Sequence, residues 1–396
     1  MIIDHNLVNS EEILGYLSTI DLETFSGSHY EIGIQQGKAT RELLHQALKQ
    51  VPNFIEMKIM KPRLIPMPLF LLLAKRRATK TLENDIFQCY PKQAERLKGI
   101  AEGAGIDMPW MFLAQSMELL VNVGPSSYRI PACTSLGFNP QRTITSETII
   151  AKNFDYPNHF SFLHLTCNTK PTGDYQTLGC TMAPLPGMID GINEHGLTIT
   201  YNLAYSTDEA KHFAPLSIVL QEMLKTCQST DEAVKFLTNA KRAGSGLLMI
   251  ADAEYNIKAV EISHNYASIR NLIDDQTINT NHYQTSEMQE HEIPHNAVLS
   301  GKVPRDWLGK RVHESSEQRL KRAQELLNSK DKMDENEIVT ILRDHGQNNN
   351  PSNLTICQHG AYISTLRSVI FYPNRKTIKV LYGNPCQNEY VQFGFS

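Results

Sequence analysis

Through most of the first 130 residues apolar positions recur at helical spacing. Beyond residue 131 they come in short runs bounded by turn formers. The first pattern predicts helices over 11–17, 39–49, 78–104 and 109–121. Pro91 marks a kink or break, and Gly103 and Gly105 a stop. Ser28 and Glu31 form a capping box, and Gly33 and Gly37, four apart, lie on one helical face and allow close backbone packing. No strand precedes them and no Lys-Ser/Thr follows, which argues against a phosphate loop.

The second pattern predicts strands over 135–138, 147–151, 162–167, 175–181 and 197–203, then 246–251, 257–262, 267–271 and 278–281, and finally 365–372, 377–382 and 390–393. Helix pairs over 215–226 with 230–239, and over 315–328 with 334–344, separate these blocks. Such an order suits sheets packed face to face with helix pairs outside, better than a doubly wound sheet. Residues 135–138 and 147–151 read as a hairpin, with Cys133 at its head and Asp155 just past its end. Residues 284–314 are polar and proline-bearing, an excursion near a site rim.

Composition changes the picture little. The chain has 396 residues, 41% hydrophobic and 20% charged, with room for a large core and two or three domains. Its net charge of −4, with no basic stripe interleaved with aromatics, speaks against nucleic acid. Seven cysteines are dispersed without a Cys-x-x-Cys pair, and His282 and His345 lack partners at zinc-finger distance. We therefore expect no metal and no cofactor, and a reducing compartment. The opening Met1-Ile-Ile-Asp-His-Asn lacks the charge and apolar run of a signal peptide, so the expected location is cytoplasmic.

One stretch, Ile55–Arg77, is apolar but interrupted by Lys58, Lys61, Arg63 and three prolines, and its clean part is far short of the roughly 20 residues of a membrane span. It reads either as a buried helical hairpin or cap, or as a greasy lip flanked by Lys75, Arg76 and Arg77 that makes weak contact with a membrane surface or a lipid-like substrate.

The chemistry-bearing segments are Pro131-Ala-Cys-Thr-Ser and Ala151-Lys-Asn-Phe-Asp-Tyr, then Asp190-Gly-Ile-Asn-Glu-His-Gly-Leu-Thr-Ile-Thr-Tyr-Asn-Leu and Asn279-Thr-Asn-His-Tyr. Thr365-Leu-Arg-Ser-Val-Ile-Phe-Tyr-Pro-Asn-Arg-Lys and Gly383-Asn-Pro-Cys close the series. In this order they resemble the penicillin acyltransferase-type branch of the N-terminal-nucleophile hydrolases, with choloylglycine hydrolase and acid ceramidase as more distant cousins. Gly27–Gly37 resembles that branch's pro-segment.

The resemblance implies an α+β, four-layer αββα fold and a precursor that cuts itself between Ala132 and Cys133. The products would be a helical pro-segment, 1–132, and a catalytic domain, 133–396, held as an α/β chain heterodimer. It implies an enzyme acting on linear amides of small molecules, by hydrolysis or acyl transfer. The catalytic candidates are Cys133, Asp155, Asn202, Asn281 and Arg367. Lys152 and Tyr201 are the substrate-binding or electrostatic ones, Lys152 standing where bile-salt-type relatives carry arginine. The apolar Ile55–Ala74 stretch adds the expectation of an apolar acyl group.

The residue chemistry is consistent with this. A thiol with an ordinary pKa of about 8.5 needs a base, and a free α-amine titrating near about 8 on the same residue supplies one without a positioning loop. Asp155 would orient that amine, while Asn281 and Asn202 would supply donors to the tetrahedral oxyanion. Taken singly, each residue also has a structural reading: a packed cysteine, a turn carboxylate, strand-end amides, and His345 and His359 as polar neighbours of the last strands. Two further readings stay open. One is an uncut papain-like thiol hydrolase using Cys133 and His282. The other is a binding protein that keeps the fold without catalysis.

Overall fold

The computed structural model describes residues 20–123, 132–301, 303 and 307–395. The helix expected over 11–17 lies outside them. Strand β1 (Leu22–Gly27) opens the described chain, followed by helices α1 (His29–Ala39), α2 (Arg41–Gln50), α3 (Ile55–Met60), α4 (Met67–Cys89), α5 (Pro91–Ala104) and α6 (Met108–Val123). Strands β2 (Thr134–Phe138), β3 (Ile149–Pro157), β4 (His164–Pro171), β5 (Thr177–Met182), β6 (Asp190–Asn193) and β7 (Thr198–Leu203) come next. Helices α7 (Leu216–Leu224) and α8 (Thr230–Asn239) lead to β8 (Gly246–Ala251), β9 (Ile257–Ile262), β10 (Ala267–Arg270) and β11 (Gln276–Asn279). The short α9 (Ser286–Gln289), α10 (Glu314–Leu327) and α11 (Glu335–Leu342) precede β12 (Ile363–Tyr372), β13 (Thr377–Tyr382) and β14 (Val391–Gly394).

These strands form two sheets, one in the order β1-β4-β5-β6-β7-β8-β9-β10 and one in the order β11-β2-β3-β12-β13-β14. Ile150, Val369, Phe371, Ile378 and Val380 of the second sheet bury against Leu178, Ile192, Met249 and Ile257 of the first. The outer face of the second sheet packs Leu136, Phe138 and Ile370 on Ala323 and Leu327 of α10 and Ile338, Ile341 and Leu342 of α11. The first sheet carries the helices of residues 29–119 together with α7 and α8 on its own outer face. The result is the expected αββα stack.

Local chemistry explains most boundaries. The Ser28 hydroxyl accepts from Glu31 N at 3.3 Å and the Glu31 carboxylate accepts from Ser28 N at 2.8 Å, starting α1. A methyl group on Gly33 or Gly37 would overlap the backbone oxygens of Arg96 and Ile100 on α5, so the close packing foreseen for this pair is the α1–α5 contact. Pro91 opens α5 rather than kinking a continuous helix, because its missing N–H has no intrahelical acceptor at that position.

Three expectations need correcting. A strand does precede Gly33 and Gly37: β1 pairs in parallel with β4 as the outermost strand of its sheet, while the missing Lys-Ser/Thr still argues against a phosphate loop. Asp155 lies inside β3, not beyond it, because β12 is long enough to keep pairing through Pro157. The Ile55–Arg77 stretch divides: Met57 is buried and Leu71 joins Ala78, Leu82 and Ile86 on the inner face of α4, whereas Leu64, Leu69, Leu72 and Leu73 are exposed. Among the described residues no helix is long and apolar enough to cross a membrane.

Candidate active site

Cys133 immediately precedes β2, an interior strand held between β11 and β3. It is 5% exposed and lies in the wall of a cavity of about 230 Å³. Phe54, Met57, Trp110, Met111 and Leu113 line that cavity from the helical segment. Phe154, Tyr156, Leu185, Ile189 and Tyr201 line it from the strands and their loops. The wall is mostly hydrocarbon, with Cys133, Asp155, Glu56, Glu118 and three tyrosines among its polar members. Burial pushes the Cys133 thiol up from its ordinary range, and Lys152 offsets only part of this. At neutral pH the sulfur therefore keeps its proton until a base removes it.

Asp155 faces the same cavity. Its backbone oxygen is 3.9 Å from Cys133 Sγ, and its Oδ1 accepts from Thr365 Oγ1 at 2.6 Å. Pairing between β3 and β12 slips between Thr365 and Arg367, a bulge that falls where Thr365 stands opposite Asp155. The other carboxylate oxygen, Oδ2, is buried and has no hydrogen-bond partner among the described residues. Burial raises the Asp155 pKa to about 7, against the opposing pull of Arg319 and the Thr365 hydrogen bond.

Arg319, on α10, was not foreseen in the sequence, yet it is the cation in direct contact with the cysteine backbone. Its guanidinium donates to Cys133 O, to Thr134 Oγ1 at 2.9 Å and to Asn281 Oδ1 at 2.8 Å. Asn281 in turn donates from Nδ2 to Leu203 O at 2.7 Å, and the amide's second N–H has no acceptor among the described residues. Gln358 was also missed. Its Nε2 lies 3.4 Å from Ala132 O, the carbonyl of the bond preceding Cys133.

The remaining candidates sit behind this group. Lys152 Nζ is 2.6 Å from Asp190 Oδ1, and Arg367 Nη2 is 2.8 Å from Asp190 Oδ2, all three side chains fully buried. Arg367 also meets His164 Nδ1 at 3.1 Å and stacks over the Phe154 ring at 4.6 Å. Asn202 accepts from Ser135 Oγ and spends both amide hydrogens on Asn279 O and Thr280 O, each at 3.1 Å. It thus braces β7 of one sheet to the end of β11 in the other. Tyr201 lines the cavity with its ring and donates its hydroxyl to Ser245 O at 3.2 Å. His282 bonds Ser316 Oγ through Nδ1 at 2.7 Å and is not in the cavity wall, and burial lowers its pKa to about 4. The structure therefore brings Cys133, Asp155 and Tyr201 to the cavity and ties Asn281 to Cys133 through Arg319. Lys152, Arg367 and Asn202 stand in buried networks one layer away.

The chain is similar to protein dcd1A of Dictyostelium discoideum, 23% identical over 282 residues that cover 65% of this chain and 61% of that protein. It is similar to the beta-alanyl-dopamine/carcinine hydrolase of Drosophila melanogaster, 22% identical over 249 residues covering 59% and 61%. Each match thus spans about three fifths of the relative's own length. Among solved structures, a mutant conjugated bile acid hydrolase from Clostridium perfringens is 15% identical, with a TM-score of 0.39 over 66% of this chain and 97% of that one. Residues 143–387, more than half of the sequence, match the acyl-coenzyme A:6-aminopenicillanic acid acyl-transferase family, and the chain belongs to that family.

Proposed function

We propose that this protein is a linear-amide hydrolase or acyltransferase whose nucleophile is Cys133, made N-terminal by cleavage of the Ala132–Cys133 bond. The observation that carries the reading is the unpartnered Asp155 Oδ2, buried in the same cavity as Cys133. An ammonium on residue 133 is the group that this carboxylate lacks.

The first step is on the chain itself. The Cys133 sulfur attacks the Ala132 carbonyl carbon, with Gln358 Nε2 as a donor to the developing oxyanion. The C–N bond breaks as nitrogen takes the proton, leaving a thioester. Water then hydrolyses the thioester, releasing an Ala132 carboxylate and regenerating the Cys133 thiol beside the amine freed in the previous step. In the mature site that amine accepts the thiol proton, the thiolate attacks the substrate amide, and the proton passes to the leaving nitrogen. Water or an amine resolves the acyl thioester. The family is described by an acyl transfer and one relative by a hydrolysis, so both acceptors fall within this reading.

The apolar wall favours a fatty or aromatic acyl group. Residues 1–132 and 133–396 would remain together as two chains. Seven free cysteines agree with a reducing, cytoplasmic setting. The exposed leucines around the start of α4, with Arg76 and Arg77 nearby, favour weak contact with a lipid surface. Intact-mass measurement tests the central claim. Wild type should yield a fragment beginning at Cys133 and the Cys133→Ala chain should not. A fully active wild type that stays in one piece would sink it.

A further inference from the structure

Four residues remote in sequence meet at one end of the second sheet: His345 beyond α11, Cys357 and His359 in the loop entering β12, and Cys386 in the loop leaving β13. One ligand atom from each lies within 4.8 Å of all the others. His345 Nε2 and His359 Nε2 are 3.2 Å apart. His359 Nε2 is 3.4 Å from Cys357 Sγ and 3.3 Å from Cys386 Sγ, and the two sulfurs are 3.7 Å apart. A tetrahedral zinc with ordinary bond lengths sets its ligands about 3.3–3.4 Å apart for two nitrogens, about 3.5–3.6 Å for nitrogen and sulfur, and about 3.8 Å for two sulfurs. The observed spacings agree within a few tenths of an ångström.

Hydrogen bonding alone accounts poorly for this packing. His345 Nδ1 faces Asn349 Oδ1 at 3.2 Å, so its proton belongs there and Nε2 points its lone pair inward. The His359 Nε2 has at most one proton to share among three neighbours. The sulfur separation is also far beyond the roughly 2.05 Å of a disulfide.

We propose that His345, Cys357, His359 and Cys386 bind one zinc-class divalent cation. All four positions are filled by protein, which marks a structural rather than a catalytic site. Loading it exchanges the two thiol protons for the metal. The cation would staple three segments, and the middle one carries Gln358, whose side chain reaches Ala132 O. Gln358 is further tied to Thr365, the partner of Asp155, through Gln358 N to Thr365 Oγ1 at 2.9 Å. Metal loss should therefore also slow cleavage at Cys133. That consequence rests on the function proposed above, whereas the metal content does not.

The full chain, purified under reducing conditions, should hold about one zinc by mass spectrometric metal analysis. Cobalt in its place should give the near-ultraviolet thiolate-to-cobalt band together with tetrahedral visible bands. The Cys357→Ser/Cys386→Ser chain should bind less than about one fifth as much, and Cys227→Ser should bind normally. Because the double variant can fail to fold, the cobalt spectrum and the fall in melting temperature on chelation are read on wild type as well. Wild type that takes up neither metal, a double variant that keeps its full zinc, or a Cys357–Cys386 disulfide in the reduced preparation would each overturn the proposal.

Discussion

Two buried cation groups stand close to Cys133, and they are wired differently. Lys152 and Arg367 grip the two oxygens of one carboxylate, Asp190, which offsets part of their charge inside the group. Arg319 hydrogen-bonds neutral acceptors: a carbonyl, two hydroxyls and a carboxamide. Its charge acts on Asp155, and Asp155 and Cys133 in turn favour its charged form, while Lys152 also acts on both Asp155 and the Cys133 thiol. The difference separates a cation that holds sheets together from one that tunes a site. The motif residue Arg367 falls on the structural side of that line and the unforeseen Arg319 on the chemical side, with Lys152, bound to Asp190 yet acting on Cys133 and Asp155, on both.

The largest expected effect comes from removing the sulfur itself. Cys133→Ala should abolish turnover, a loss on the order of 10⁴-fold or more, measured with any cleaved amide substrate. Next in size, Arg367→Met should cost about 3–5 kcal/mol of stability in denaturant melts, because it leaves Asp190 half-compensated in the core. Its kcat per folded molecule should stay within about three-fold of wild type. Arg319→Met should do the converse, lowering kcat roughly 10²-fold with a smaller stability loss. If the two variants trade effects, the contrast fails.

A pH series sharpens it further. In the uncut Cys133→Ala chain, Asp155 holds its proton up to about pH 7, whereas the unfolded chain releases it near its ordinary value of 3.8. Stability from this group is full below about pH 4 and is lost as pH rises through 7, a fall of about 2–4 kcal/mol. Asp155→Asn in the same background should flatten the curve. The smallest effect belongs to the apolar wall: Met57→Ala should raise KM for a long acyl chain about ten-fold and leave an acetyl substrate nearly unchanged.

The sequence made much of this legible. The strands over 246–251 and 257–262 coincide with β8 and β9, because each is a short, mostly buried run, interrupted in β9 only at the half-buried Lys258, with turn formers on both sides. Strand β1 was hidden because its two apolar residues, Leu22 and Phe25, stand three apart and give no period-two signal, and at a sheet edge a short half-polar strand looks like a loop. Arg319 had a faint signal: it shares the inward stripe of α10 with Ser316, Ala323 and Leu327, so a charge sat where an apolar residue belonged. Gln358 and the His345–Cys386 cluster had none, since loops meeting at a sheet end leave no periodic trace.

The parallel pairing of β1 with β4 has a consequence for handling the protein. If Cys133 severs the backbone as proposed, the front piece would still supply a border strand to the eight-stranded sheet, so a native sizing column should report one species where a denaturing gel reports two. Melting the nicked molecule would let its halves diffuse apart. Recovery then becomes a bimolecular search that slows on dilution, whereas the uncut Cys133→Ala chain refolds at a rate independent of its concentration.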